Sequence, residues 1–129
     1  MSTPPARLRV LISDDDPMIR DALRDVLQAE PDLEVVAVAV DADEAIELTR
    51  AHVPAVAVLD VRMPGGGGQR AAREIRRLSP TTRIVAFSAY GDTGALEEMR
   101  RLGVTEYLRK GVPNTEIVAA VRRLGQAAG

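Results

Sequence analysis

The chain has no cysteine and no tryptophan, and its only aromatic residues are Phe87, Tyr90 and Tyr107. The missing thiols remove disulfide frameworks, thiolate zinc sites and cysteine nucleophiles together. Any chemistry must come from oxygen and nitrogen groups. No apolar run approaches the ~18 residues a membrane span needs, and the start lacks a basic-then-apolar signal segment, so a soluble, cytoplasmic protein without membrane contact is expected. The net charge of -2, with acids and bases interspersed, gives no electrostatic footprint for nucleic acid. Lysine is nearly absent as well: of 17 basic residues, all but Lys110 are arginine. The two are not equivalent toward phosphate, since lysine presents a compact ammonium and arginine a planar fork.

What is present is a regular alternation. Leu8 to Ser13, Glu34 to Val40, Ala55 to Asp60, Arg83 to Ser88 and Glu106 to Arg109 are short apolar, β-branched-rich segments bounded by turn residues or charges. Between them lie segments with helical spacing, such as Ile19, Leu23, Val26 and Leu27, or Ile117, Val121 and Leu124. Helix starts carry capping chemistry: Asp16 with Pro17 at the first helical position, Asp41 or Asp43 for the second helix, Asp92 for the fourth. Gly103 and Gly125 fit helix ends. The strand at 35–40 and that at 56–59 are continuous apolar runs, as expected when helices cover both faces of a parallel sheet. One 129-residue domain of the doubly wound α/β class, a (βα)5 sandwich, follows. It spans residues 7–125, with 1–6 as a mobile start and 126–129 as a tail or the beginning of a linker.

In open α/β sheets, ligands sit beyond the carboxyl ends of the strands. Here the first strand ends in Ser13-Asp14-Asp15-Asp16, the third in Asp60, the fourth in Ser88 and the fifth in Lys110. Two carboxylates at ~4 Å oppose each other by ~4 kcal/mol at an effective dielectric of ~20, so the acids need a proton or a cation. Oxygen ligands favour a hard divalent ion, and magnesium accepts phosphate oxygens beside one or two carboxylates. A carboxylate can attack phosphorus when metal, ammonium and hydroxyl groups neutralise the transferring charge. Asp60 fits that nucleophile.

These residues resemble a known family. The segments 11–17 (Leu-Ile-Ser-Asp-Asp-Asp-Pro), 59–65 (Leu-Asp-Val-Arg-Met-Pro-Gly), 87–89 (Phe-Ser-Ala) and 107–110 (Tyr-Leu-Arg-Lys) are similar to the signature of bacterial two-component response regulator receiver domains. The resemblance covers almost the whole chain. It implies the flavodoxin-like strand order 2-1-3-4-5, and Asp60 as phosphoacceptor for a sensor histidine kinase or phosphotransfer protein. It implies Mg2+ held directly by Asp15 and Asp60, through water by Asp14, and by the Arg62 backbone carbonyl. Ser88 and Lys110 would bind the phosphoryl group, and Tyr107 would occupy an aromatic switch position. The face of the fourth helix, fifth strand and fifth helix would serve a homodimer or an effector. Such a domain catalyses only its own phosphorylation and dephosphorylation, and is not otherwise an enzyme.

The run Gly65 to Gly68 departs from the family, which often has an acid before the last glycine, and implies a more mobile loop. Gly111 stands where many relatives have proline, which resembles the subfamily with a LuxR-type helix-turn-helix output. Arg62 and Tyr90 occupy positions where relatives vary and tune phosphate lifetime.

Plainer readings compete at each position. A strand-end aspartate is ordinarily a cap or turn residue, Ser88 can cap its loop, and Tyr107 can switch or simply pack. His52, with no partner motif, reads as structural and not as a phosphate donor. The glycine run is no dinucleotide cradle, because that fingerprint follows the first strand, where this chain has three acids. An aspartyl-nucleophile phosphohydrolase resembles Asp-x-Asp at the third strand, and Arg62 stands at its second acid. A pseudo-receiver would have lost the acids, Ser88 or Lys110. The coincidence of four strand ends favours phosphoryl acceptance.

Overall fold

A computed structural model describes residues 6–89 and 91–127. The expected mobility of residues 1–5, the last two residues of the expected tail, and Tyr90 lie outside the described residues. The element order is β1 (Leu8–Ser13), α1 (Pro17–Gln28), β2 (Leu33–Ala39), α2 (Ala42–His52), β3 (Val56–Asp60), α3 (Gly67–Leu78), β4 (Arg83–Ser88), α4 (Thr93–Arg101), β5 (Glu106–Arg109) and α5 (Asn114–Ala127). The five strands pair in parallel in the order β2-β1-β3-β4-β5, as expected. Every residue of the central β3 is buried, which is why its sequence shows no polar alternation.

Helices sandwich the sheet unevenly. On one face Ala37, Ala39, Ala57 and Ala86 of the strands meet Ala42 and Ala45 of α2, Ala71, Ala72 and Ile75 of α3, and Met99 of α4. Small side chains on both sides let these helices lie close to the strands. On the other face Val10, Ile12, Val58, Val85 and Phe87 pack against Leu23 and Leu27 of α1 and Ile117, Val118 and Val121 of α5.

The caps follow local chemistry with two corrections. Asp16 accepts the Met18 N–H at 2.9 Å, and Pro17 sits at the first helical position. Asp41, and not Asp43, caps α2 by accepting the Glu44 N–H at 2.8 Å, while the Glu44 carboxylate accepts the Val40 N–H at 2.9 Å. That exchange withdraws Val40 from the sheet, so β2 ends at Ala39, one residue early. Gly103, at φ +92°, ends α4 as expected.

Gly125 does not end α5, which continues to Ala127. A Cβ there would lie 2.6 Å from Leu8 Cδ1, so the glycine serves close packing of α5 on β1. Asp92 precedes α4, and its backbone carbonyl accepts the Leu96 N–H at 3.0 Å. Its side chain makes no cap hydrogen bond and is occupied elsewhere.

Candidate functional site

The parallel register brings the carboxyl ends of the strands level. Ser13 stands opposite Leu59, Asp60 opposite Phe87, and Ser88 opposite Arg109, with the Lys110 N–H bonded to the Ser88 carbonyl at 2.7 Å. Asp14, Asp60, Ser88 and Lys110, read from four separate segments, therefore occupy one edge. Asp15 joins them: carboxylate oxygens of Asp14, Asp15 and Asp60 all lie within 4.8 Å of one another. Asp14 and Asp60 are buried, whereas Asp15 is exposed.

Lys110 Nζ lies 3.0 Å from Asp14 Oδ2 and 3.1 Å from Asp60 Oδ1, so one ammonium bridges two buried carboxylates. The Phe87 ring underlies that ammonium, with its centroid 5.8 Å from Nζ. Asp14 Oδ1 accepts the Asp16 N–H at 2.9 Å, and the Arg20 guanidinium donates to the Asp14 carbonyl at 2.9 Å. Asp60 Oδ1 also accepts the Arg62 N–H at 3.1 Å. Asp60 Oδ2 is buried with no hydrogen-bond partner. One oxygen of Asp60 is thus held in place and the other is uncommitted, the arrangement a nucleophile requires.

Burial, and then the Asp14 charge, push the Asp60 carboxyl up to about 6 against the pull of Lys110 and the Arg62 N–H. Burial alone would lower the Lys110 ammonium, but its hydrogen bonds to Asp14 and Asp60 leave it above its ordinary value. A carboxyl raised in the fold from an ordinary 3.8 to about 6 contributes stability that is full below the lower value and lost as pH rises through the upper. Asp60→Asn is therefore expected to melt with wild type near pH 4 and above it at pH 7.5 in chelator. At ~1.4 kcal/mol per unit, discounted for solvent reaching the cleft, the gain is about 1–2 kcal/mol, or roughly 3–8 °C. Calorimetry across pH measures it, and equal melting at pH 7.5 would contradict the raised value.

Ser88 is buried, and its Oγ sits 3.5 Å from the Leu108 carbonyl oxygen, too far to be firmly held. The Tyr107 hydroxyl donates to the Val104 carbonyl, and the half-buried ring lines a groove with Thr93, Leu96, Glu97 and Arg100. Burial raises its phenol above the ordinary value. Tyr107 thus packs on the α4 side in this conformation.

Two residues of the site region were read in the sequence only as part of a glycine run and as a helix cap. Gly68 lies in the first turn of α3, and a Cβ there would fall 2.6 Å from the Asp60 carbonyl oxygen and 3.0 Å from Val61 Cα. Asp92 is the other: its buried carboxylate accepts the Ala89 N–H at 2.8 Å and pairs with the Arg62 guanidinium. The His52 backbone carbonyl, at the end of α2, accepts from the Arg9 guanidinium.

Residues 10–122 match the response regulator receiver domain family. The chain belongs to that family. It is 37% identical over 122 residues to the probable transcriptional regulatory protein NarL of Mycobacterium tuberculosis, a match covering 94% of this chain and 56% of the relative. The chain therefore spans about half the length of the curated relative. The receiver domain of the putative NarL from the same organism superposes with a TM-score of 0.89 at 34% identity, covering 95% of this chain and 98% of that one. A two-component response regulator of the LuxR family from Aurantimonas superposes at 0.86 with 30% identity, covering 95% and 87%. These likenesses agree with the LuxR-type resemblance carried by Gly111. The receiver domain is a module of two-component response regulators, and among the described residues no helix is long and apolar enough to cross a membrane.

Proposed function

We propose that Asp60 accepts a phosphoryl group from a phosphohistidine on a sensor histidine kinase or phosphotransfer protein. The observation that carries this reading is the buried, unpartnered Asp60 Oδ2 beside an oxygen fixed by Lys110 and the Arg62 N–H. Oδ2 forms the new bond to phosphorus as the phosphorus–nitrogen bond breaks, and the electron pair returns to the imidazole. Lys110 neutralises a phosphoryl oxygen, and the Ser88 hydroxyl, poorly engaged at rest, donates to another. Loss of the group to water returns the domain to rest, so the chain catalyses only its own phosphorylation and dephosphorylation.

The donor set suits Mg2+: three oxygen-only carboxylates stand together, and only one ammonium offsets them. Asp15, Asp60 and the Arg62 carbonyl would hold the ion directly and Asp14 through water. When bound, it supplies positive charge for the phosphoryl oxygens. The receiver domain comprises residues 7–125, continued by the last turn of α5.

Phosphorylation then draws Ser88 inward and lets Tyr107 leave the Val104 carbonyl, changing the α4-β5-α5 face that meets a second copy or an effector. Relatives are named as transcriptional regulators, one of them as a DNA-binding activator, so the output here is transcription through a DNA-binding domain outside residues 7–125, with no nucleic acid bound by the receiver domain itself. The test is intact mass after incubation with acetyl phosphate and Mg2+. One phosphate on wild type and none on Asp60→Asn supports the reading. An adduct on both would overturn the assignment of Asp60, and none on either would overturn phosphoryl acceptance.

A further inference from the structure

Asp92 is among the few buried charged residues, with a side chain 2% exposed, and it contacts none of the groups assigned to phosphoryl transfer directly. Its two oxygens do different things. Oδ2 accepts the N–H of Ala89, the residue after Ser88, at 2.8 Å, and Oδ1 pairs with the guanidinium of Arg62. The Arg62 N–H in turn holds Asp60 Oδ1 at 3.1 Å. A continuous set of bonds thus runs from the nucleophile through Arg62 and Asp92 to the backbone that carries Ser88. Asp92 itself is fixed by its carbonyl to the first turn of α4.

We infer that Asp92 is a positioning residue whose carboxylate holds the β4–α4 loop at rest and must release the Ala89 N–H and Arg62 for Ser88 to close on a phosphoryl oxygen. The inference rests on Asp60 being the acceptor. A phosphoryl group on Asp60 adds nearly two negative charges beside Arg62 and draws its guanidinium away from Asp92. Because the Arg62 side chain is 74% exposed, nothing packs it in place. Asp92 is then a buried carboxylate without its cation, held by one backbone N–H, which is an unfavourable state that displacement of the loop relieves. Gly91, at φ +93° with open space where a Cβ would stand, lets the turn re-form without a clash. The coupling is reciprocal: whatever loosens Asp92 favours phosphoryl capture.

Asp92→Asn keeps the shape and removes the charge. With acetyl phosphate and Mg2+, the variant is expected to gain its phosphate about 5- to 20-fold faster than wild type, the scale of a modest coupling. In a Ser88→Ala background the same substitution is expected to change the rate less than twofold, because the loop then has no hydroxyl to deliver. A purely structural role would not depend on Ser88. Without any phosphodonor, amide exchange at Ala89 should quicken in both Asp92→Asn and Arg62→Met. Unchanged exchange at Ala89, an unchanged or slower rate in Asp92→Asn, or a full gain without Ser88 would each overturn the inference. Failure of wild type to take any phosphate would instead sink the reading of Asp60, with exchange at Ala89 still deciding the Asp92 contact.

Discussion

Lys110→Met is expected to slow phosphate gain at Asp60 by about 10²–10³-fold, the usual loss when one preorganised charge or donor is removed from a transferring group. Two effects act together. The ammonium that would meet a phosphoryl oxygen disappears, and so does the cation shared by Asp14 and Asp60, at 3.0 and 3.1 Å. Lys110 is the main influence lowering an Asp60 carboxyl that already stands at about 6, so the variant's carboxyl rises further and less of it is ionised at neutral pH. The deficit should therefore be largest near pH 6 and shrink toward pH 8, read as initial rates of adduct formation by mass. Stability should move the other way: the unneutralised pair weakens the fold most at pH 8 and least at pH 5, where Asp60 holds a proton. Lys110→Arg is not expected to restore the rate, because a planar fork cannot take the place of an ammonium set between two carboxylates over the Phe87 ring.

Gly68→Ala is expected to destabilise the domain by about 1–3 kcal/mol and to impair phosphorylation with it. Helix propensity argues the opposite, since alanine in place of glycine in a helix gains ~1 kcal/mol. Geometry decides the sign. The added Cβ would lie 2.6 Å from the Asp60 carbonyl oxygen and 3.0 Å from Val61 Cα, and these are backbone atoms of a buried strand end that cannot swing aside. Either α3 retreats or the end of β3 shifts, and the latter moves the Asp60 carboxylate relative to Lys110. Thermal unfolding together with adduct rates checks this; a variant as stable and active as wild type would show that α3 can retreat freely.

The architecture was legible because most local signals agreed with the fold. Continuous apolar runs at 35–40 and 56–59 announced a sheet covered on both faces, and Asp16-Pro17 and Asp41 with Glu44 marked helix starts. The site was legible because each of these residues ends a strand or immediately follows one, so a correct topology gathers Asp14, Asp60, Ser88 and Lys110 without further information. What escaped depends on partners distant in sequence. Asp92 reads as a cap by its neighbours, and only Arg62, 30 residues earlier, reveals where its side chain goes. Gly125 reads as a helix end until Leu8, from the opposite end of the chain, is seen against it. The family resemblance implies a switch at Tyr107, but which way its ring faces follows from the Val104 carbonyl and α4, which no local pattern encodes.

Phosphoryl transfer to the uncommitted oxygen of Asp60 leaves an acyl phosphate at one position of the sequence. Proteolysis of the acetyl phosphate-treated wild type at acidic pH, followed by fragment mass analysis, locates it. The added phosphate is expected on Asp60 within the peptide carrying residues 56–62, and it should be released by hydroxylamine as an acyl phosphate is. A phosphate found instead on Asp14, Asp15, Ser88 or His52 would rule out Asp60 as the acceptor.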